Sequence, residues 1–454
     1  MKDTIVALAT APGISSIAVV RLSGAEALQI IERCFSGKQK ISKVPSHTIH
    51  YGSFYSKDIL LDKVTVSVFR EPNSYTGEDV VEISCHGGSL ISSEIINTLI
   101  AEGARLAEPG EFTKRAFLNG KMDLAQVEAV ADLIHSESIK GVKTAIRQLK
   151  GEFTNRLNIL RKQLLEIASL LELELDFADE EMEITNPEQI EEKLISAINF
   201  CDELHSSFRA SEILRSGYYI AIAGYPNAGK STLFNTLLQR KRAIVSEAPG
   251  TTRDYIEEPF ILGEVTVKLI DTAGIRESDD LIEIEGIKFA ESVLEQSDMA
   301  LIINDASKSL EYSDNLLKAL QNKFPHLNTI LIQNKIDLLG ENANDLIQSN
   351  NSKVLHISAK KKIGIEDLKK TIQREAISSS DRVSDILVNQ RQALLLKEAS
   401  SYLQGALFSL KEKLGNEIIA IDIRKSAEKL GEMTGERWSE DVLNNIFSKF
   451  CIGK

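Results

Sequence analysis

The segment 224–231, GYPNAGKS, constrains the fold of this chain more than any other stretch. It fits the pattern G-x-x-x-x-G-K-S, follows an apolar run at 219–223 and precedes a helix-forming stretch that begins at Ser231. A strand, a glycine-rich loop and a helix in this order predict a phosphate-binding loop, because the loop N–H groups and the helix N-terminus both face an anion. In such a loop Lys230 reaches the β- and γ-phosphates and the Ser231 hydroxyl binds Mg²⁺.

Three further nucleotide motifs follow, which argues against a glycine-rich turn that merely happens to contain a lysine. In DTAG at 271–274 the aspartate can hold Mg²⁺ through water and the glycine N–H can meet a γ-phosphate. In NKID at 334–337, Asp337 suits guanine because its carboxylate accepts hydrogen bonds from N1–H and the exocyclic amine, a pair that adenine lacks. The backbone of SAK at 358–360 can meet the guanine O6. The four motifs in this order predict a domain that binds GTP rather than ATP.

Hydrolysis needs a device other than the usual glutamine, because the position after DTAG is Ile275, which cannot orient water. Asn227 in the phosphate loop can ligate a monovalent cation, Thr251 can bind the same cation, and Thr252 can bind Mg²⁺. A K⁺ ion there would put positive charge where an arginine finger otherwise stands. The alternative is that Asn227 is a loop residue that hydrogen-bonds its own backbone. The nucleotide-binding residues that the motifs predict are Asn227, Ala228, Gly229, Lys230, Ser231, Thr232, Gly250, Thr251, Thr252, Asp271, Thr272, Ala273, Gly274, Asn334, Lys335, Ile336, Asp337, Ser358, Ala359 and Lys360.

Composition predicts a multidomain cytoplasmic protein. The chain has 454 residues, of which 43% are apolar and 26% charged, too many residues for one ordinary core. No run of eighteen apolar residues and no signal-peptide pattern is present, so we expect no membrane association. The four cysteines lie far apart, which argues against a zinc site or a disulfide framework. The net charge of −13 suggests that any nucleic acid is held mainly by a partner.

Turn formers and hydrophobic periodicity divide the chain into four segments. Residues 1–118 predict an α+β domain, 119–215 the first part of an all-α helical domain, 216–378 an inserted α/β Ras-like GTPase domain, and 379–454 the second helical part. Within the helical part, apolar residues recur at helical spacing and predict buried positions, namely Leu157, Leu160, Leu164, Ile167, Leu171 and Leu175. A serine-rich stretch at 377–381 predicts a linker, and the acidic run at 176–183 predicts a solvated loop or helix end rather than a partner surface.

The motif set resembles a known family. GxPNxGKS, GTTRD, DTAG, NKxD and SAK together resemble the potassium-dependent TrmE–Era–EngA group of GTPases. The C-terminal CIGK is similar to the C-(I/L/V)-G-K tail of one member of that group, the MnmE (TrmE) family of tRNA-modification GTPases. N-terminal segments agree with this resemblance: DTIVA at 3–7, VRLSG at 20–24, YTGED at 75–79, CHGG at 85–88, PGEFT at 109–113 and AFLNGK at 116–121. The connection to tRNA comes from this full-length resemblance and not from composition.

The resemblance implies a function and partners. It implies a homodimer built through a tetrahydrofolate-binding N-terminal domain, with GTP hydrolysis triggered by K⁺-promoted pairing of the GTPase domains. It also implies a heterotetramer with the flavoprotein MnmG (GidA). The two proteins would add a carboxymethylaminomethyl or aminomethyl group to C5 of the wobble uridine, with carbon from a 5-formyl- or 5,10-methylene-tetrahydrofolate donor.

The resemblance implies residues for a folate site and for a K⁺ site. Arg21, Glu82, Lys121 and Lys454 match the family's folate-binding positions, although each alone is more often a surface charge. Cationic groups suit the folate glutamate tail, and a carboxylate suits the pterin amine and ring N–H. The resemblance also adds Ser246, Glu247, Ala248 and Pro249 to the predicted nucleotide-binding residues. It implies that the K⁺ ligands are Asn227, Ser246, Thr251 and the carbonyl of Ala248.

Two residues are predicted to be catalytic, and each has an alternative interpretation. Glu283 aligns with the family's catalytic glutamate, but Glu285 would take its place if the alignment slipped. Cys451 is either an inert terminal thiol or a group that stabilises or adds to a one-carbon intermediate.

Two other functions compete with this interpretation. A ribosome-assembly GTPase of the Era or EngA kind would carry a basic domain after the GTPase or a second GTPase domain, whereas this chain has a helical tail and an acidic balance. A conformational switch with no one-carbon chemistry of its own remains open on the sequence alone.

Overall fold

The computed structural model describes residues 3–176, 186–224, 226–238, 257–263, 265–271, 292–309, 311–339, 354–380 and 385–453. The described chain forms two compact units. The first contains residues from 1–131, 147–197 and 398–454, and the second contains residues from 132–146 and 198–397.

A seven-stranded sheet organises the start of the chain. Its strands follow the order β3-β4-β5-β6-β2-β1-β7, in which β1 and β7 are parallel and the other described pairs are antiparallel. The strands are β1 (Ile5–Leu8), β2 (Ile17–Ser23), β3 (Phe35–Gly37), β4 (Thr48–Ser56), β5 (Ile59–Phe69), β6 (Val80–His86) and β7 (Arg105–Leu106). Alternate residues of β5, such as Val64, Val66 and Val68, are buried, as expected for a sheet with one face in the core.

Three helices belong to this region. Helix α1 (Ala27–Cys34) and helix α2 (Ser89–Ala101) contribute Ile30, Ile31 and Ile95 to the core of the sheet. Helix α3 (Glu111–Leu118) follows the last strand and is only eight residues long. Because isolated helices of that length are marginal in water, α3 depends on its tertiary contacts.

A run of helices follows. These helices are α4 (Leu124–His135), α5 (Ile139–Leu149), α6 (Glu152–Asp176), α7 (Pro187–Ser206) and α8 (Phe208–Ser216). On α6 the predicted apolar positions Leu157, Leu164 and Leu171 are buried, but Leu175 is 42% exposed. The prediction that the stripe is core is wrong at Leu175, because this residue lies in the last turn of α6, beyond its last buried residue, Leu171.

The second unit contains a doubly wound sheet. Its order is β13-β12-β11-β8-β10-β9, and β9 is antiparallel to β10 while the other described pairs are parallel. The elements are β8 (Tyr218–Gly224), α9 (Lys230–Leu238), β9 (Glu257–Leu262), β10 (Val265–Asp271), β11 (Met299–Asp305), α10 (Glu311–Lys323), β12 (Asn328–Asn334), β13 (Val354–His356) and α11 (Ile365–Ser380). All seven residues of β11 are buried, as expected for a parallel strand covered on both faces.

Strand order determines where a ligand can bind in this sheet. The chain leaves β8 toward β10 on one side and later returns to β11 on the other. A crevice therefore opens beside the carboxyl end of β8, which is where doubly wound sheets bind ligands.

The C-terminal part is helical, with α12 (Gln390–Lys411), α13 (Asn416–Thr434) and α14 (Glu440–Phe447). The predicted fold class, an α+β region and a helical region combined with a parallel α/β sheet, is confirmed. The predicted linker at 377–381 is wrong over its first four residues, because α11 continues to Ser380 with Ala376 buried in the core of the sheet. Among the described helices, none has the length and apolar character that a membrane span requires.

Gly224, the last residue of β8, permits a close approach that another residue would block. Its φ is +137°, and a Cβ there would lie 2.2 Å from the carbonyl oxygen of Ile303 in β11. We expect Gly224→Ala to lower the free energy of unfolding of this unit by about 2 kcal/mol or more, because both the φ angle and the backbone contact are unfavourable. Thermal unfolding measures the effect. Gly415→Ala is the control, since a Cβ there meets nothing within 4 Å, and equal loss in both variants would contradict the prediction.

Candidate functional site

The phosphate loop joins the carboxyl end of β8 to the start of α9. Asn227 and Gly229 have positive φ angles of 63° and 96°, so the backbone turns sharply before the helix. Lys230 donates from Nζ to the carbonyl oxygen of Gly224 at 3.1 Å, which folds the lysine back over the loop. Ser231 is exposed in the first turn of α9. A helix N-terminus with an adjacent lysine and hydroxyl is an arrangement that fits a phosphate chain and its Mg²⁺.

Asn334 connects this loop to the SAK segment. Its buried side chain donates from Nδ2 to the carbonyl oxygen of Ala228 at 2.8 Å and accepts at Oδ1 from the N–H of Ala359 at 2.9 Å. A Cβ on Gly229 would lie 2.3 Å from the same Nδ2, so glycine is needed for this approach. One amide side chain therefore holds two of the predicted motifs in register.

Lys335 forms a second connection. Its Nζ donates to the carbonyl oxygen of Asn227 at 2.7 Å and to the Asp305 carboxylate at 2.8 Å. Burial raises the pKa of Asp305, but hydrogen bonds from Lys335 and Ser307 outweigh that effect and lower the pKa to about 2. Asp305 therefore stays ionised at neutral pH and holds the lysine against the loop. Sequence reasoning missed this residue, although a carboxylate at the end of the apolar run 299–303 is a usable signal.

Asp337 and Ser358 meet at the end of the site that the motifs assign to the base. The Ser358 hydroxyl donates to Oδ1 of Asp337 at 2.5 Å and accepts from the N–H of Lys361 at 3.1 Å. Ile336, which directly precedes Asp337, is buried and donates from its N–H to the carbonyl oxygen of Ile357, the residue before Ser358, at 3.3 Å. Asp337 is thereby oriented while its second carboxylate oxygen remains able to accept from a base.

Several predicted residues lie outside the described residues, namely Ser246, Glu247, Ala248, Pro249, Gly250, Thr251, Thr252, Thr272, Ala273, Gly274, Glu283 and Lys454. The backbone of Asp271 is described and pairs with Ile222 of β8, which puts this residue at the carboxyl edge of the sheet. The described part of the chain contains no cluster of three or more histidine, cysteine or acidic side chains that could hold a metal.

A second group of predicted residues meets on the seven-stranded sheet. Arg21 of β2 lies directly opposite Glu82 of β6, with Nε and Nη2 of the arginine 2.9 and 2.8 Å from Oε1 of the glutamate. Both side chains are largely buried, with 17% and 27% exposed. A charged pair of this kind can exchange its internal bonds for bonds to a ligand that carries both an acid and an amine.

Two aromatic rings, which sequence reasoning did not assign to the site, pack against Arg21. The guanidinium carbon lies 5.3 Å from the ring centre of Tyr75 and 5.7 Å from that of Phe112. The Tyr75 hydroxyl pairs with the Thr113 hydroxyl at 2.9 Å, and burial raises the pKa of Tyr75. Both rings stabilise the cation and restrict its rotamers. The sequence could have indicated both rings, because Tyr75 lies in the YTGED segment and Phe112 in the PGEFT segment.

The C-terminal tail reaches the same place. The carbonyl oxygen of Gly453 accepts from Nη1 of Arg21 at 3.3 Å, and the carbonyl oxygen of Cys451 accepts from the N–H of Gly110 at 3.5 Å. A Cβ on Gly453 would lie 2.2 Å from the carbonyl oxygen of Leu8, so the tail lies tightly on β1. The structure thus brings together Arg21, Glu82 and the tail.

Lys121 makes no hydrogen bond to Arg21 or Glu82 in the described structure. Its Nζ donates to the carbonyl oxygen of Pro72 at 2.8 Å, and its aliphatic stem lies beside Gly77. The loop that carries Tyr75 therefore also positions Lys121.

The four cysteines differ sharply in environment. Burial raises the pKa of Cys34 and of Cys85 to about 11, and that of Cys201 to about 12. Cys451 is exposed. Because the thiolate is the reactive form, Cys451 is the accessible thiol of the chain and the other three are inert.

Two family models match the chain. The model described as the GTP-binding protein TrmE N-terminus matches residues 4–121, and the model described as the MnmE helical domain matches residues 124–451.

Relatives match over the full length. The tRNA modification GTPase MnmE of Christiangramia forsetii is 42% identical over 472 residues and covers 100% of both chains. The protein of the same name from Flavobacterium psychrophilum is 44% identical over 460 residues, covering 100% of this chain and 99% of its own. That of Carboxydothermus hydrogenoformans is 39% identical over 463 residues and covers 100% of both.

Solved structures resemble part of the chain. Era of Aquifex aeolicus bound to GDP and aluminium fluoride is 30% identical, with a TM-score of 0.27, over 35% of this chain and 56% of that chain. The G domain of the FeoB iron transporter of T. maritima is 28% identical, with a TM-score of 0.27, over 35% of this chain and 98% of that chain.

Loss of the Asn334 amide should weaken nucleotide binding. We expect Asn334→Ala to raise the Kd for GDP and GTP alike by about tenfold or more, because it leaves a buried carbonyl and a buried N–H without partners. Titration with a fluorescent GDP analogue measures this. Asn328→Ala, at the opposite end of β12, is the matched control, and similar Kd values for the two variants would contradict the assignment.

Proposed function

Because the chain belongs to the MnmE (TrmE) family of tRNA modification GTPases, we propose that it couples GTP hydrolysis to modification of the wobble uridine of tRNA. The GTP hydrolase activity itself follows from membership of the family. The observation that carries the GTPase part of the proposal is the Asn334 amide, which donates to the carbonyl of Ala228 and accepts from the N–H of Ala359 and so joins the phosphate loop to the SAK segment. That bridge supports one continuous site for phosphates and base.

Roles within the nucleotide site follow from its chemistry. Lys230 neutralises the β- and γ-phosphates, and Ser231 holds Mg²⁺ together with Thr252, which lies outside the described residues. Asp337 accepts hydrogen bonds from the guanine N1–H and amine, with Ser358 keeping its carboxylate oriented. When bound, Mg²⁺ neutralises charge that develops on the phosphate oxygens.

A monovalent cation site completes the proposal for hydrolysis. Asn227 is exposed in the loop, and its backbone carbonyl accepts a hydrogen bond from Lys335. The oxygen of its side-chain amide can therefore bind the ion. Ser246, Ala248 and Thr251 would supply the other oxygens, and Glu283 would orient the attacking water, with Glu285 as the rival carboxylate. When bound, K⁺ supplies positive charge to the transition state.

GTP hydrolysis should depend on K⁺. We expect the wild-type chain to turn over GTP much faster in K⁺ than in Na⁺, because Ile275 cannot orient water and the ion supplies the missing charge. Asn227→Ala should abolish the preference and leave GTP binding largely intact. Steady-state phosphate release in the two salts measures the ion preference of the wild-type chain and of the variant, and equilibrium titration measures GTP binding. Equal wild-type rates of GTP hydrolysis in K⁺ and Na⁺ would contradict the proposed cation site.

The second part of the proposal concerns one-carbon chemistry. We propose that Arg21, Glu82, Lys121 and Lys454 bind a tetrahydrofolate one-carbon derivative, with the arginine on the acidic tail and the glutamate on the pterin. The Arg21–Glu82 pair and the tail carbonyl on Arg21 support a site that recognises both charges. Cys451, exposed on the docked tail, would then lie beside the donor.

Partners complete the proposal. The chain would act in the cytoplasm as a homodimer formed through the N-terminal region. It would work with the flavoprotein MnmG (GidA) in a heterotetramer and add a carboxymethylaminomethyl or aminomethyl group at uridine C5. The net charge of −13 supports a partner that carries most of the tRNA contacts.

Removing the tail should separate the two activities. We expect deletion of residues 451–454 to abolish tRNA modification and to weaken 5-formyltetrahydrofolate binding, since Arg21 loses a hydrogen-bond acceptor and Lys454 is removed. GTP hydrolysis should stay near the wild-type rate because the tail contains none of the nucleotide motifs.

Three assays of the deleted chain with its partner protein provide the measurement: nucleoside analysis of tRNA, equilibrium titration of the folate, and phosphate release. Cys451→Ser is the matched variant that keeps the tail and removes only the thiol. Unchanged modification and folate binding in the deletion would favour a pure conformational switch.

A further inference from the structure

Arg115 is a fully buried charge that no role described above requires. It is 1% exposed and lies in α3, one turn after Glu111. Its guanidinium contacts three carboxylates: Glu111 at 3.0 Å, Asp3 at 3.1 Å and Glu78 at 3.2 Å. It also donates to the backbone carbonyl of Asp3 at 2.9 Å. A buried arginine is tolerated only when it is paired in this way, and removing one partner of such a cluster is costly.

A second arginine closes the cluster from the surface. Arg105 donates to Glu111 at 2.7 Å and to Asp3 at 2.6 Å, and its side chain is 44% exposed. Burial raises the pKa of Glu111, but bonds from Arg105, the N–H of Glu108 and Arg115 outweigh it and lower the pKa. Glu111 is therefore ionised at neutral pH, and its bonds to Arg105 and Arg115, which both also bond to Asp3, hold α3 to the start of the chain.

Two physical connections run from Arg115 to Arg21. The first passes through Glu78, which accepts at Oε2 from the Ser23 hydroxyl at 2.8 Å, two residues after Arg21 on β2. The second passes through α3 itself, whose Phe112 ring packs on Arg21.

The neighbouring Thr113 of α3 extends the second connection. Its hydroxyl bonds to that of Tyr75, the other ring on Arg21. A shift of α3 would therefore move both aromatic walls of the arginine.

The same helix also seats the tail. Gly110, which precedes α3 with a φ of +68°, donates to the Cys451 carbonyl, and a Cβ there would lie 2.7 Å from the carbonyl oxygen of Phe447. The start of α3 is thus the surface on which the tail lies. Because α3 has only eight residues, its position depends on the ion pairs that anchor it.

We infer that Arg115 is the positioning residue of the Arg21 site, which through α3 sets both the orientation of Arg21 and the docking of the C-terminal tail. The identity of the ligand rests on the proposed function, but the docking of the tail does not. Side chains that hold a binding group in place commonly change affinity by about tenfold or more when replaced.

The test compares two variants of the cluster with a surface control in the full-length protein. Arg115→Lys keeps the charge and removes the planar set of donors, and Glu78→Gln weakens the same cluster at constant size. Arg33→Lys is the control, because this exposed arginine of α1 bonds to Glu102 and makes no bond to the Arg115 cluster in the described structure. Circular dichroism establishes a temperature at which all three are folded.

Two readouts follow at that temperature. Titration with 5-formyltetrahydrofolate should show about tenfold weaker binding for Arg115→Lys, a smaller loss for Glu78→Gln and less than a twofold change for Arg33→Lys. A nitroxide on Cys451, the exposed cysteine, should become more mobile in the first two variants by electron paramagnetic resonance. GTP hydrolysis should be unchanged.

The outcomes separate the inference from the proposed function. Wild-type affinity and wild-type nitroxide mobility in both Arg115→Lys and Glu78→Gln would overturn the inference, and so would an equal loss in Arg33→Lys. If Arg115→Lys does not fold, Glu78→Gln decides. If the wild-type protein fails to bind 5-formyltetrahydrofolate, the folate proposal fails, while the nitroxide mobility still decides the role of Arg115.

Discussion

The nucleotide site depends on one buried amide. Asn334 ends β12, and its side chain reaches across the carboxyl edge of the sheet to the phosphate loop and to the segment after β13. Parallel strands bring their carboxyl ends to one edge, so residues more than a hundred positions apart in sequence meet there. Lys335, held by Asp305, reinforces the same junction from the other side. The phosphate loop and the NKID and SAK segments are therefore joined by side-chain hydrogen bonds in the structure without a ligand.

In the N-terminal region, a charged side chain, Arg21, connects distant parts of the chain. Arg21 is held by Glu82 across two strands, by two aromatic rings and by the carbonyl of Gly453, 432 residues further along the chain. Each contact lowers the number of orientations open to the guanidinium, which reduces the entropy lost when a ligand binds. The tail that carries an exposed thiol thereby becomes part of a preorganised surface.

The strand, loop and helix that carry the phosphate-loop motif were predictable because the motif is local. A glycine-rich turn between a strand and a helix is encoded by neighbouring residues, and Gly224 and Gly229 are required there for steric reasons. Predictions that depended on packing were less accurate. The serine-rich stretch at 377–380 is helical because Ala376 is anchored in the core, and Leu175 is exposed in the last turn of α6, beyond the last buried residue of that helix. Composition near a helix end carries too little information to decide either case.

The sequence by itself determined the order of the motifs, the chemistry of each motif and the division into sheet-forming and helical segments, since these depend on residue type and short-range periodicity. Only the tertiary structure decided which distant groups meet. Asp305 beside Lys335, Tyr75 and Phe112 beside Arg21, and the buried Arg115 cluster are contacts between elements far apart in the chain. They exist because strand order and helix packing bring these side chains together, and no local pattern encodes that arrangement.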